Sequence, residues 1–591
     1  MADIREPEVE KVKAPGEEPL CRVGIVLESD DKIMMEASLP PGGYSLTDGK
    51  RETSLTSGSA IPLSFKTVDG GVAAFGEEGE VLMKSDDYIA VQEADLQKPV
   101  SPGKGMLLKK VVAGRGFHWQ KEVDLIFPRR LEFFNRNGKL VVVNVVPMEA
   151  YLSCVVTSEM SKECPPEFIK AQAIIKRSAA RANSEKGNLD KKLADAVIQA
   201  SDEVISGKFA DQFVLDYLQA GAGTSQNMNV NEVLANRANE IMGGQKGKYD
   251  HVHPNDHVNM GQSTNDTIHT AIHIAAVVET HARLLPAVDR LHKALLEKEK
   301  EFDGIVKCGR THLQDAVPIR LGQEFSAFAD MLRLAKERID HALNAVTALP
   351  IGGSAVGTGL NTPPGYRALM AEYISESTGH KFRIADNMFE AMSALDAVVE
   401  YSGALRVLAT GLKKIADDIR LLGSGPLTGI MELKLPAVQP GSSIMPGKVN
   451  TVMAEMLNMV CSQAMGCDAC IVHAAQGSQL QLNVMMPVVG YNIILMIHSL
   501  AGGMDSFTER CIKGLQADEE ICRGYAEKST ALATALNPLV GYNKAAELAY
   551  RAYKEKRPVR ELAKEEKVAD DGTLDEALDT YRMTVNPDDR K

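Results

Sequence analysis

The sequence predicts a mainly α protein, a bundle of long helices preceded by a small β-rich amino-terminal domain. Downstream of about residue 165 apolar residues recur at helical spacing. Leu284, Val288, Leu291 and Leu295 do so in one stretch, and Leu395, Val398, Leu405, Leu412, Ile415, Ile419 and Leu422, with Ser402 on the same face, do so in another. Upstream, glycine, proline and alternating apolar residues dominate. There "RRLEFFNRNGKLVVVNVVP" sets two β-rich runs on either side of Asn137-Gly138, a dipeptide suited to a tight hairpin turn.

A chain of 591 residues is too long for one core. Its composition divides it into a flexible terminus (1–20), a β-rich domain (21–164), a first helical domain (165–265), a central long-helix bundle (266–520) and a carboxyl-terminal helical domain (521–591). The long helices are apolar over much of their surface, which predicts association with copies of the same chain. A composition of 44% hydrophobic and 25% charged residues is that of a globular protein. The net charge of −13 argues against nucleic acid or an anionic membrane as partner, yet leaves an anionic substrate open, since that feels only the local field. "MADIREPEVEKVKAPGEEP" has no apolar core of signal type, and no run of about 18 apolar residues follows, so a cytoplasmic, soluble protein is expected. The nine cysteines are scattered, and the close pair in "CDAC" (467–470) reads as reduced thiols packed in a helix rather than half a metal site.

Four polar clusters interrupt the helices. In "GAGTSQNMNVNEVLANRANE" (221–240), Gly221 and Gly223 let the backbone bend closely while Thr224 and Ser225 supply hydroxyls. In "HPNDHVNMGQSTNDTIHTA" (253–271), Ser263, Thr264 and Asn265 stand just before a helical run. Their side chains and the free N–H groups of the first turn suit a carboxylate, or serve simply as an N-cap. "GRTHLQDAVPIRLGQEF" (309–325) places Thr311 and His312 before Pro318, in or near a helix break. "GSSIMPGKVN" (441–450) puts Ser442 on a loop with a fixed cation, Lys448, and an amide, Asn450; Gly441 and Gly447 allow the loop to move over an anion.

Together, in this order and at these separations, the four clusters resemble the signature segments of the aspartase/fumarase superfamily, from about residue 165 to the carboxyl end. The resemblance implies a homotetramer with a long-helix core and active sites built from clusters of different subunits. It also implies a small dicarboxylate substrate, cleavage of a bond β to a carboxylate, release of fumarate, and no required cofactor. Ser442 resembles the general base, with Ser443 beside it. Lys448 and Asn450 resemble the grip on one carboxylate; Thr224, Ser263, Thr264 and Asn265 resemble the pocket for the other, its wall completed by Thr311 and His312. Glu455 resembles an acid that pairs with the histidine region, and His253, Asn255 and Asp256 resemble a secondary anion site. No closed metal-ligand set stands out, and divalent-cation activation is left open.

Members of the family that act on aspartate and on malate differ in detail. "GAGTSQN" and Gln439 favour the aspartase form over the fumarase form. Thr451 stands where the family normally has proline. Residues 138–183 carry a second resemblance, to part of the stage II sporulation protein D family, with Glu159 matching its acidic residue. That points to an appended structural or regulatory module, or to recognition of a glycan or partner.

Overall fold

The computed structural model describes residues 20–94, 105–113, 121–147, 165–218, 221–439, 441–586 and 588. The chain divides into two compact units, Met1–Ser161 and Lys162–Lys591. Glu159 and the rest of residues 148–164, within the segment resembling the sporulation family, lie outside the described residues.

The first unit is built from antiparallel strands: β1 (Leu20–Val26), β2 (Met34–Leu39), β3 (Gly42–Thr47), β4 (Glu52–Ser57), β5 (Ile61–Val68), β6 (Gly71–Phe75), β7 (Val81–Ser85), β8 (Tyr88–Glu93), β9 (Met106–Ala113), β10 (Lys121–Phe127), β11 (Arg130–Arg136) and β12 (Lys139–Pro147). They form two six-stranded sheets, ordered β1-β12-β11-β8-β3-β4 and β10-β9-β2-β5-β6-β7. Alternation along β11 turns Leu131 and Phe133 inward, where Phe133 stacks on Phe65 of the other sheet at 3.6 Å. The expected hairpin is present: Arg136 pairs with Lys139, and Asn137 and Gly138 take φ of 52° and 79°.

In the second unit the elements that position the polar clusters are α1 (Pro166–Glu185), α2 (Lys191–Ile205), α3 (Thr224–Ile241), α4 (Thr264–Glu279), α5 (Leu285–Glu301), the strand pair β13 (Val306–Thr311) and β14 (Gln314–Arg320), α6 (Leu321–Val346), α7 (Tyr366–Thr378), α8 (Asp396–Leu422), α9 (Val452–Ala475) and α10 (Met486–Phe507). Val398, Leu405, Leu412, Ile415 and Ile419 of α8 are fully buried, as their spacing predicts. The segment Met486–Ile512 is long and apolar enough to cross a membrane by length and composition, but 67% of its apolar 18-residue window is buried inside the protein. Cys467 is buried and Cys470 half-buried in α9, in keeping with packed thiols.

α4 is buried nearly all round, and the cost falls on its histidines. Desolvation first pulls His269 down to about 3, with His273 adding to it, and pulls His273 down to about 4. The unfolded chain takes up these protons near the ordinary histidine value while the folded chain does not, so acid favours unfolding. Asp266 runs the other way, since burial raises it to about 6. Between pH 7 and 4.5 the three groups together are expected to remove about 3 kcal/mol of stability, measured as a fall in denaturant midpoint at constant slope. A midpoint unchanged over that interval would show the histidines protonated in the fold.

Candidate active site

The first two clusters meet. Gly221, Ala222 and Gly223 all take positive φ, turning the chain sharply into α3. A Cβ on Gly223 would lie 2.8 Å from the Ile268 side chain, so glycine here lets α3 approach α4. Thr224 Oγ1 donates to the Gly221 carbonyl (2.6 Å). Ser263 is the N-cap of α4: its Oγ accepts from the Asn265 N–H (3.2 Å), and its own N–H donates to Asp266 Oδ1 (2.9 Å), a reciprocal box. Asn265 Nδ2 donates to the Ala355 carbonyl (2.8 Å), while Thr264 Oγ1 accepts from Asn227 Nδ2 (3.2 Å). The result is a helix N-terminus lined by half-buried hydroxyl and amide groups, which suits a carboxylate.

Behind this pocket lie polar groups that the sequence reading passed over. Lys176 of α1 is fully buried, and its Nζ donates to Asn227 Oδ1 (2.7 Å), Asn259 Oδ1 (2.9 Å) and Gln262 Oε1 (3.1 Å). Asp266 is also fully buried and receives the N–H groups of Gly352 and Ser354 at 3.0 Å each. Burial raises the Asp266 carboxyl; these N–H bonds and the Lys176 charge oppose the rise.

The loop of Ser442 is closed at its neck. Asn450 Nδ2 donates to the Gly441 carbonyl, and a Cβ on Gly441 would lie 1.9 Å from the Lys448 carbonyl oxygen, so only glycine fits. Ser442 Oγ accepts the backbone N–H groups of Ile444 (3.2 Å) and Met445 (2.9 Å). Ser443 and Lys448 are exposed, and neither side chain has a hydrogen-bond or ion-pair partner among the described residues. A cleft of about 520 Å³ beside the loop is lined by Arg420, Ser424, Lys448, Asn450, Thr451 and Glu455. The Thr451 hydroxyl accepts from Arg420 Nε (3.2 Å) and donates to Glu455 Oε1 (3.3 Å).

Thr311 and His312 lie in the break between α5 and α6, which is built as the β13–β14 hairpin: Thr311 pairs with Gln314 and the exposed tip residues His312 and Leu313 take φ of 56° and 58°. Two non-glycine residues in the left-handed region hold a strained turn at a candidate functional position. The hairpin base is anchored by buried Glu432, which pairs with Lys307 (2.9 Å) and Arg310 (2.8 Å). Within one chain Glu455 pairs with Arg420 (3.5 Å) and Thr451, not with His312.

His253, Asn255 and Asp256 share one turn, in which His253 Nδ1 caps the N–H groups of Asn255 and Asp256 (3.3 Å each) and faces the Asp256 carboxylate (3.2 Å). Among the described residues, no hydrogen bond or ion pair joins Ser442, Lys448 or His312 to the Ser263–Asn265 pocket.

Glu167, Glu279 and His498 bring three ligand-type atoms within 4.8 Å of one another. Arg283 already donates to Glu279 (2.7 Å) and His498 stands 2.8 Å from it. Burial alone would raise the Glu279 carboxyl, but these two bonds outweigh it and hold it low, so Glu279 already has its donors within the chain.

A family model described as lyase matches residues 152–466, and one described as fumarase C C-terminus matches residues 532–585. An aspartate ammonia-lyase of Bacillus sp is 48% identical over 71% of this chain and 89% of its own length. The chain belongs to the aspartase/fumarase family of lyases. The lyase match begins at residue 152, upstream of α1. A class II fumarate hydratase of Thermosynechococcus vestitus is 49% identical over 68% of this chain and 87% of its own, so overall identity does not separate the two activities. A crystal structure of fumarate lyase:delta crystallin from Brucella melitensis bound to cobalt has a TM-score of 0.71 at 42% identity, covering 75% of this chain and 98% of that one. A class II fumarase from Schistosoma mansoni has a TM-score of 0.71 at 36% identity, covering 77% of this chain and 99% of that one.

Proposed function

We propose that this lyase eliminates ammonia from L-aspartate to give fumarate. The Ser442 alkoxide takes the carbon proton next to a carboxylate. The electron pair enters that carboxylate as an enediolate, then forms the double bond as the C–N bond breaks. The observation that carries the reading is the pair of backbone N–H groups already directed at Ser442 Oγ, because hydrogen bonds to the charged form of a hydroxyl favour that form. Lys448 and Asn450 face the enediolate, whose double negative charge needs fixed donors far more than the ground state does. Ser263, Thr264 and Asn265, with Thr224, hold the other carboxylate, and Thr311 and His312 close the wall.

Because these clusters are not joined within one chain, the complete site is read as formed between copies in a homotetramer, with Glu455 reaching the histidine of another copy. His253, Asn255 and Asp256 form a secondary anion site beside it. The enzyme is placed in the cytoplasm.

The form of "GAGTSQN" and Gln439 support aspartate. Hydration of fumarate is the second reading, favoured by the Thermosynechococcus relative. Supplying L-aspartate and L-malate in parallel and following the ultraviolet absorbance of fumarate tests both: signal from aspartate supports the first, from malate alone the second, and from neither rejects the lyase reading. The amino-terminal unit is read as an appended module, so a chain lacking residues 1–147 should keep turnover within about tenfold, roughly 1.4 kcal/mol in barrier. Total loss in a folded deletion product would make the module part of the enzyme.

A further inference from the structure

Lys176 and Asn227 touch none of the groups assigned to the reaction except Thr264, yet they sit directly behind the carboxylate pocket. An ammonium can only donate. With three side-chain oxygens around it at 2.7, 2.9 and 3.1 Å, Lys176 Nζ has one proton for each. Asn227 must therefore turn its oxygen toward Lys176, where the Thr267 hydroxyl also donates to it (3.2 Å). The Asn227 amide nitrogen is thereby directed at Asn259 Oδ1 (3.3 Å) and at Thr264 Oγ1 (3.2 Å). Thr264 Oγ1 accepts that bond, and no acceptor among the described residues takes its proton.

We propose that Lys176 and Asn227 are positioning residues that fix the hydrogen-bond polarity of the pocket, so that Thr264 offers its proton outward to a carboxylate oxygen. This deepens the lyase reading and rests on it. The buried ammonium acts by orienting the amide chain. Burial pulls Lys176 down to about 7 against the opposing charge of Asp266, while the three oxygens, each matched to one N–H, favour the protonated form. The polarity also has a chemical consequence. A pocket presenting N–H and O–H protons accepts a carboxylate and disfavours the amide or alcohol end of an otherwise similar four-carbon molecule.

Asn227→Asp tests the orientation at nearly unchanged volume. The new carboxylate pairs with Lys176 but cannot donate to Thr264, so the Thr264 hydroxyl turns inward to it and is lost to the ligand. Succinate serves as a nonreactive dicarboxylate, titrated calorimetrically into the full-length protein. Asn227→Asp and Thr264→Val should each raise its dissociation constant about tenfold or more, the cost of a hydrogen bond to a charged group.

The double variant should be no worse than either single one, since both remove the same bond. Thr264→Ser, which keeps the hydroxyl, should stay within about threefold and provides the comparison with Thr264→Val should Asn227→Asp fail to fold. Multiplying losses in the double variant would show that the introduced carboxylate acts by charge alone and overturn the proposal, as would Thr264→Val binding like Thr264→Ser. A parent protein that turns over aspartate or malate while the losses multiply rejects this inference only; a parent that neither turns over nor binds succinate rejects the lyase reading with it.

Discussion

Ser442→Ala is expected to lower turnover by about 10⁴-fold, ~5 kcal/mol in barrier, while leaving succinate binding within a few-fold of the parent. The substitution removes the oxygen that takes the carbon proton and touches none of the groups assigned to hold the two carboxylates. General-base loss commonly costs about 10²–10⁴-fold. The upper end is expected because the same oxygen gathers the Ile444 and Met445 N–H groups, so its removal also loosens the loop that must close over the enediolate.

Ser443→Ala is the control at the neighbouring position. Its hydroxyl has no partner among the described residues, so this neighbour should change turnover less than about threefold, as surface substitutions usually do. The loop itself survives both changes, since its neck is held by Asn450 on the Gly441 carbonyl. Turnover of Ser442→Ala within tenfold of the parent would remove this serine from the role of base, and His312 acting through water would become the next candidate.

What the sequence reveals of this site follows from which residues advertise their conformation. Ser263-Thr264-Asn265 before an apolar run is a capping signal, and the helix begins there. The loop at 441–450 is legible because glycine, serine and proline disfavour a helix through ten positions. Asn137-Gly138 names its turn outright.

"RTHLQD" contains no glycine, asparagine or proline, so nothing in it marks a hairpin whose two tip residues are left-handed; the pairing of the flanking strands and the anchor at Glu432 impose that turn from outside. Lys176 is hidden for a different reason. A lysine in a helix ordinarily reads as solvent-facing, yet Gln172, Lys176 and Asn183 share one face of α1 with Ala179, and all are buried, Gln172 against α4 and Lys176 and Asn183 against the loop before it. A polar stripe at spacings of four and seven within an alanine-rich helix is the signal that would have found it. The pairing expected of Glu455 concerns two copies, and a single chain offers it Arg420 and Thr451 instead.

Lys448→Ala is expected to behave unlike the serine variant, lowering kcat/KM by about 10³-fold, ~4 kcal/mol, with about a tenfold part of that appearing as weaker succinate binding. The division follows from charge. A carboxylate carries one negative charge in the bound substrate and two in the enediolate, so a fixed cation attracts both states and the second more strongly. In the chain itself the ammonium is exposed and has no carboxylate partner among the described residues, which leaves its charge available to a ligand. The surrounding cleft supplies only Arg420 as a second cation, and that guanidinium is already engaged by Thr451 and Glu455, so it cannot take over the role without breaking those bonds. Lys448→Arg tests whether charge alone suffices. Its planar fork differs from the compact ammonium, and partial recovery of binding with little recovery of turnover is expected. Loss of turnover in Lys448→Ala with succinate affinity unchanged would place the lysine on the leaving group or on Ser442 rather than on the carboxylate. An effect under tenfold on both would remove it from the site.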